Sequence, residues 1–187
     1  MILLSRPPMQ SVQPLVDLGA VAPMPVSAAY RYQLIAFLRH IGCPFSEQVV
    51  KALRDWALHH ANVEVSVVFH GDRAIAERWF EQIGGCGVLN MVHDPDREAY
   101  GLWGLGFCRA RHFMGLSSLS GVVRLWRQGI RNRIATGTRW QQSGIFLIND
   151  GIVSWRHIPK TADEFLLPPN ELFQNDGRLS LDNVNNS

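Results

Sequence analysis

The chain has 187 residues, is 47% hydrophobic and 18% charged, and carries a formal net charge of +2. That length and apolar content suit one core and exclude a chain that is disordered throughout. No apolar run approaches the roughly 18 residues of a spanning helix, and three cysteines are too few for a disulfide scaffold.

Residues 1–29 contain Pro7, Pro8, Pro14, Pro23 and Pro25. They read as an irregular lead-in, with one short strand expected near Leu15–Leu18. The opening MILLSRPPMQ lacks the long apolar core and small-residue cleavage site of a signal peptide. A folded domain is expected over residues 30–174. Its first strand spans 31–40, where Leu34 to Leu38 are apolar without a break. Such a run fits a strand buried on both faces.

A helix is expected from Pro44 to His60, with Val49, Leu53, Trp56 and His60 on one face. Val63–Phe69 is β-branched and reads as a second buried strand. Asp72 suits the cap of a helix reaching Ile83. A short third strand is expected at Val88–Val92, and then Asp94-Pro95 as cap and start of a helix containing Tyr100. Strand and helix alternate through this part, which implies parallel pairing with right-handed crossovers.

Leu116, Leu119, Val123, Trp126 and Ile130 form another helical stripe. Ile145–Ile148 and Ile152–Trp155 flank Asn149-Asp150-Gly151, a hairpin signal that predicts an antiparallel edge pair. A short helix is expected near Asn170–Phe173. Residues 175–187 form a polar tail expected to be disordered.

The chemistry concentrates at Gly42-Cys43-Pro44-Phe45-Ser46. Pro44 suits the first position of a helix, where its missing N–H costs nothing. Cys43 then falls at the N-cap, beside free amides and the positive end of the helix dipole. Such a site lowers a thiol pKa, and the thiolate is the nucleophile. The competing reading is a buried structural thiol, since free cysteine often packs as a small hydrophobe. Arg39 and His40, just before the turn, are candidates to stabilise a thiolate or simply to end the strand at solvent.

The wording FLRHIGCPFSEQ resembles the peroxiredoxin-like branch of the alkyl hydroperoxide reductase/thiol-specific antioxidant superfamily, in which Phe-Leu-Arg precedes Gly-Cys-Pro-x-Cys. VLNMVHDPDREAYGLWGLG and RWQQSGIFLINDGIVSWRH are similar to two further blocks of that branch, in the same order. The resemblance covers about residues 30–173. It implies a thioredoxin-like α/β fold with a central mixed sheet and helices on both faces. It also implies thiol-based redox chemistry without a metal or bound cofactor, with electrons from an external thiol such as glutathione or thioredoxin. The substrate would be a small peroxide, or a thiol or disulfide.

The sequence departs from that pattern in several places. Ser46 replaces the second cysteine of the motif, so no disulfide can close within it; its hydroxyl is expected to donate toward a Cys43 thiolate. The Pro-x-x-x-Thr-x-x-Cys of typical peroxiredoxins has Ala36 and His40 at its Pro and Thr positions. Ser143 or Gln142 stands where the fold commonly carries a cis-proline. Arg139, just before that stretch, is the candidate arginine from the later part of the chain to reach Cys43. Cys86 and Cys108 are candidate resolving thiols, with burial the competing reading for each.

His59, His60, His70, His93, His112 and His157 are scattered and read as helix-end, strand-end or surface residues. No metal-ligand spacing, phosphate-binding loop or Ser-His-Asp arrangement occurs.

Of 18 basic residues only Lys51 and Lys160 are lysine, and no Asp or Glu occurs between Glu98 and Asp150. The arginines from Arg109 to Arg139 imply a positive surface for an anionic partner, although no motif points to specific nucleic-acid binding. Two functional readings follow. One is a thiol redox protein working through Cys43 in a reducing, cytoplasmic setting. The other is a binding or regulatory module that has lost catalysis and acts through the Arg-rich face.

Overall fold

Alternation along β1 (Tyr32–Phe37) sets the layers of the molecule. In the computed structural model, which describes residues 11–23, 29–108 and 116–176, Leu34 and Ala36 point to one face of the sheet and Ile35 and Phe37 to the other. All four are buried, as an unbroken apolar run in a central strand requires.

The sheet has β1 at its centre, with β2 (Val63–Phe69), β3 (Asn90–His93), β4 (Gly144–Asn149) and β5 (Ile152–His157) in the order β3-β2-β1-β4-β5. β1, β2 and β3 are parallel; β4 runs antiparallel to β1, and β5 to β4. On one face Val50, Leu53 and Ala57 of α1 (Pro44–Leu58) and Ala76, Trp79 and Phe80 of α2 (Arg73–Gln82) pack against Leu34, Val65 and Val67. On the other, Tyr100 of α3 (Glu98–Leu102) and Trp103 pack against Phe37, Val68 and Phe146. Each fully buried side chain of this size contributes roughly 1.5–3 kcal/mol relative to exposure. The architecture is a mixed five-stranded sheet with helices on both faces, a thioredoxin-like fold.

The differences from expectation are local. β1 ends at Phe37, although the Leu38 amide still donates to the Val68 carbonyl at 2.9 Å. β3 starts at Asn90 because the Leu89 amide closes a turn on the Cys86 carbonyl at 3.2 Å. The helix expected at Asp94-Pro95 begins only at Glu98. Asp94 caps it from a turn away, accepting from the Glu98 and Tyr100 amides at 3.0 and 3.2 Å, while Arg97 turns the chain at φ 61°.

Asp150 and Gly151 take positive φ, 48° and 79°, and close the hairpin with the twist that two-residue turns favour. Its first strand, β4, is an inner strand; only β5 lies at the edge. No strand forms at Leu15–Leu18. Instead Val21 bridges Ile152, and Ala20 and Ala22 bond the Val153 amide and the Gly151 carbonyl, so the lead-in covers the β5 edge. Residues 170–176 form a 3-10 helix that extends past Phe173, and residues 177–187 of the expected tail lie outside the described residues. So do Arg109 and Arg111. α4 (Leu116–Arg127) ends before Ile130.

Candidate active site

Cys43 occupies the N-cap of α1 with extended backbone, φ −76° and ψ 130°, and Pro44 follows at the first helical turn. Gly42 turns the chain into this position at φ 81°, a conformation other residues adopt only under strain. Two groups fix the backbone just upstream. The Tyr100 hydroxyl donates to the Leu38 carbonyl at 2.6 Å, with the Val68 carbonyl at 3.0 Å. His70 Nε2 donates to the Arg39 carbonyl at 2.9 Å.

The Arg39 side chain turns toward the sulfur. Its Nη2 donates to Cys43 Sγ at 3.2 Å. His40 Nδ1 lies 2.8 Å from the Ile41 carbonyl, which can only accept, so Nδ1 carries a proton. That leaves Nε2 for Arg39 Nη2, at 3.4 Å, and for a hydrogen bond with Cys43. Cys43, Arg39 and His40 therefore form one hydrogen-bonded cluster. The His40 nitrogen facing it can take the thiol proton.

Burial pushes the Cys43 thiol toward its neutral form, but it is outweighed. The Arg39 and His40 charges, a His40 hydrogen bond and the Ser46 amide together hold its pKa well below that of an ordinary cysteine. The side chain makes no conventional cap bond; the Ser46 backbone amide acts on the anion, one of the open amides expected at this helix start. Burial also shapes His70, lowering its pKa to about 4 despite its bond to the Arg39 carbonyl.

The sulfur is covered. Cys43 is only 1% exposed and packs with Phe45, Leu125 of α4 and Ile130, with Val122 and Ala162 beside them. The segment after α4 crosses the turn: the Arg133 amide donates to the Gly42 carbonyl at 3.2 Å, and Thr136 bridges Ile41. Arg133 Nε also meets Glu47 Oε2 at 3.2 Å. Glu47 sits in the first turn of α1, is fully buried, and pairs with Lys51 at 2.7 Å as well. Two buried carboxylate oxygens thus receive two cations, as a charge in the interior requires.

A cavity of about 40 Å³ opens next to this cluster, lined by Arg39, Phe45, Ser46, Ser143, His157 and Phe165 among others. One water needs about 10–15 Å³ measured this way, so the space holds a few waters or one small polar group. Cys43 itself does not line it. His157 Nε2 is buried there with no partner among the described residues. Burial lowers the His157 pKa against the opposing pull of Glu164.

The remaining residues singled out in the sequence are dispersed. Arg139 is exposed and is not among the charges acting on Cys43; the arginine that arrives from that block is Arg133. Cys86 lies beside Arg54, whose Nη1 donates to the Gly85 carbonyl at 2.7 Å. Arg54 is eleven residues along α1 from Cys43, roughly 16 Å. Cys86 packs against the core that contains Leu53 and Phe80, whereas Cys43 belongs to a separate cluster with Phe45, Leu125 and Ile130. Burial raises the Cys86 thiol pKa.

Cys108 is held between its own amide bond to the Trp140 carbonyl, at 2.7 Å, and a long contact of its sulfur, 4.0 Å, to the Arg139 carbonyl. It is not among the residues packed around Cys43. No cis peptide bond occurs among the described residues, and Ser143 lines the cavity at the position before β4. Nor does any group of three or more His, Cys, Asp or Glu among them suit a metal ion. Glu47, Arg133 and His70 were not legible as parts of this site; the only sequence signal was the spacing of Glu47 and Lys51.

The fold is shared with many solved structures, and three illustrate the likeness. A peroxiredoxin-like protein from Aquifex aeolicus is 17% identical, with a TM-score of 0.54 over 82% of each chain. A thiol peroxidase from Chromobacterium violaceum is 9% identical, with a TM-score of 0.55 over 84% of each chain. Peroxiredoxin 5 from Alvinella pompejana is 11% identical, with a TM-score of 0.50 over 79% of this chain and 93% of its own. No curated protein matches the chain. The sequence model of the AhpC/TSA antioxidant enzymes matches residues 50–161, more than half of the chain, starting within α1 just past Cys43. The chain therefore belongs to the AhpC/TSA antioxidant enzyme family.

Proposed function

We propose that this protein reduces peroxides with Cys43 as its single nucleophilic thiol. The observation that carries the reading is Arg39 Nη2 at 3.2 Å from Cys43 Sγ, in a setting that favours the thiolate despite burial. Family membership supports the reaction class, while the role of Cys43 rests on this geometry, since the family match begins after it.

The Cys43 proton passes to His40 Nε2. The thiolate attacks the terminal oxygen of R–O–O–H and the O–O bond breaks. Cys43 becomes a sulfenic acid, and the leaving alkoxide takes the proton from the imidazolium as ROH. One external thiol then attacks the sulfenic sulfur, releasing water and leaving a mixed disulfide. A second external thiol frees Cys43 and departs as the disulfide, so two thiols are oxidised for each peroxide reduced. Ser46 in place of a second motif cysteine makes an outside reductant, such as glutathione or thioredoxin, the natural donor. A reducing compartment such as the cytoplasm suits this cycle. The Arg-rich segment that covers the site would take an anionic partner.

One observation favours a second reading, a binding module without catalysis: the sulfur is 1% exposed. On the first reading the segment over the turn moves aside to admit substrate. Iodoacetamide labelling against pH, in wild type and Cys43→Ser, with peroxide consumption alongside, separates the two. Labelling of Cys43 with an apparent pKa below that of free cysteine, and turnover lost in Cys43→Ser, is the expected result. Labelling with an ordinary thiol pKa and no peroxide consumption sinks the enzymatic reading.

A further inference from the structure

From Gly121 to Arg127, the part of α4 whose side chains are described, one face packs into the fold and the other is exposed among the described residues. Leu125 points to the Cys43 cluster, and Gly121 lies so close to Phe45 that an added Cβ would sit 3.1 Å from its ring. The opposite face carries Val123, 46% exposed, and Trp126, 63% exposed. These alternate with Arg124 and Arg127, which line a shallow open groove together with Val123 and Gln128. Beyond the helix, exposed Arg131 sets its guanidinium 5.5 Å from the Trp126 ring centroid, and Ile134 is 76% exposed. Arg133 alone turns inward, to Glu47.

We propose that this face docks on an anionic lipid surface, which would make the anionic partner in the proposed function a phospholipid headgroup layer. The inference rests on that part of the reading and owes nothing to Cys43 chemistry. Charge complementarity selects an anion, because no Asp or Glu interrupts the sequence from Ala99 to Asn149. The apolar groups select the kind of anion. An acidic protein loop would leave Trp126, Val123 and Ile134 without apolar partners, and a nucleic acid, whose bases can stack on Trp126, would still leave the aliphatic Val123 and Ile134 in water. At a bilayer surface the indole lies among the headgroups and the aliphatic groups reach the acyl boundary, while the guanidinium groups pair with phosphates. Among the described residues no helix is long and apolar enough to cross a membrane, so attachment would be peripheral.

Co-sedimentation of the full chain with vesicles tests this. Vesicles of phosphatidylcholine alone are compared with vesicles that also contain phosphatidylglycerol. Soluble competitors are inorganic phosphate, polyglutamate and a single-stranded oligonucleotide. Binding is expected to the anionic vesicles only, weakening with salt. The double variant Arg124→Glu/Arg127→Glu should bind at least about tenfold more weakly. Trp126→Ser, with its charge unchanged, should also bind more weakly, and Cys43→Ser as wild type. These positions are exposed, and circular dichroism of each variant is the control for folding.

Three results overturn the proposal. One is vesicle binding that ignores both the charge reversal and Trp126→Ser. Another is no vesicle binding while polyglutamate or the oligonucleotide is held through the same arginines. The third is full competition by inorganic phosphate, which would reduce the face to a simple anion site. Peroxide turnover by the wild-type protein without vesicle binding fails the docking proposal alone, and vesicle binding without wild-type turnover fails the enzymatic reading alone.

Discussion

Arg133 grips the helix that carries Cys43 at two points: its Nε meets the Glu47 carboxylate at 3.2 Å, and its own amide donates to the Gly42 carbonyl at the same distance. The Arg133 side chain is 30% exposed and that of Glu47 1%, so the pair is held largely out of water, and removing Arg133 leaves a buried carboxylate with one cation fewer. Arg133→Ala should release the cover over the turn without touching the sulfur's own partners. Cys43 alkylation at fixed pH is expected to quicken by roughly 5–30-fold, the equivalent of about 1–2 kcal/mol. The apparent pKa should stay where it is. An unchanged rate would mean that the cover opens elsewhere.

Arg39 should act on pKa rather than access. Without its charge, burial pushes the Cys43 thiol upward. Arg39→Gln is expected to raise the midpoint of the alkylation profile by about 1–3 units, and Arg39→Lys by less, because a point charge restores part of the attraction. Equal midpoints in all three proteins would show that His40 and the Ser46 amide suffice.

His70 titrates in an acid window. Its pKa falls from 6.5 to about 4 on folding, because burial disfavours the charged ring. Between those two values the unfolded chain binds a proton that the native state does not, so stability rises with pH there and is lost as pH falls from 6.5 toward 4. The full effect is about 3 kcal/mol. Urea melts at a series of pH values should show a flatter acid limb in His70→Gln than in wild type, whatever its stability at neutral pH.

Gly42 tests how closely the cover lies on the turn. A Cβ there would stand 2.6 Å from the Ile134 carbonyl oxygen and 2.8 Å from Ala135 Cα, on a backbone at φ +81°. Gly42→Ala should cost about 1–2 kcal/mol for the left-handed conformation alone. It should also lift the strap, so thermal melting falls while Cys43 labelling quickens. A loss of stability without faster labelling would place the strain entirely in the turn.

The strands and the thiol turn could be read from the sequence because each rests on local chemistry. Val63–Phe69 is β-branched, Asp72 caps α2 by accepting from the Ile75 amide at 2.8 Å, and Cys43-Pro44 is a helix start. What surrounds the sulfur could not be read this way, because it depends on distant pairings. Arg133 reaches Glu47 from eighty-six residues away, and nothing within the arginine block distinguishes it from Arg139. His70 is a strand-end histidine until β1 and β2 lie side by side, which brings the Arg39 carbonyl to its ring. Asp94 showed its capping role but not its reach, since the cap spans a whole extra turn.

The order of pairing in the sheet has a consequence for the growing polypeptide. β1 finds β2 early, at Leu34↔Val65, yet its other side waits for β4, at Leu34↔Leu147. Contacts that close such long loops form late. A nascent chain that has emerged only as far as β3 already has the Cys43 turn, but none of the groups from Leu125 onward that seal it. During synthesis the thiol is therefore open to whatever oxidant or chaperone it meets, and it becomes guarded only when the last strands dock.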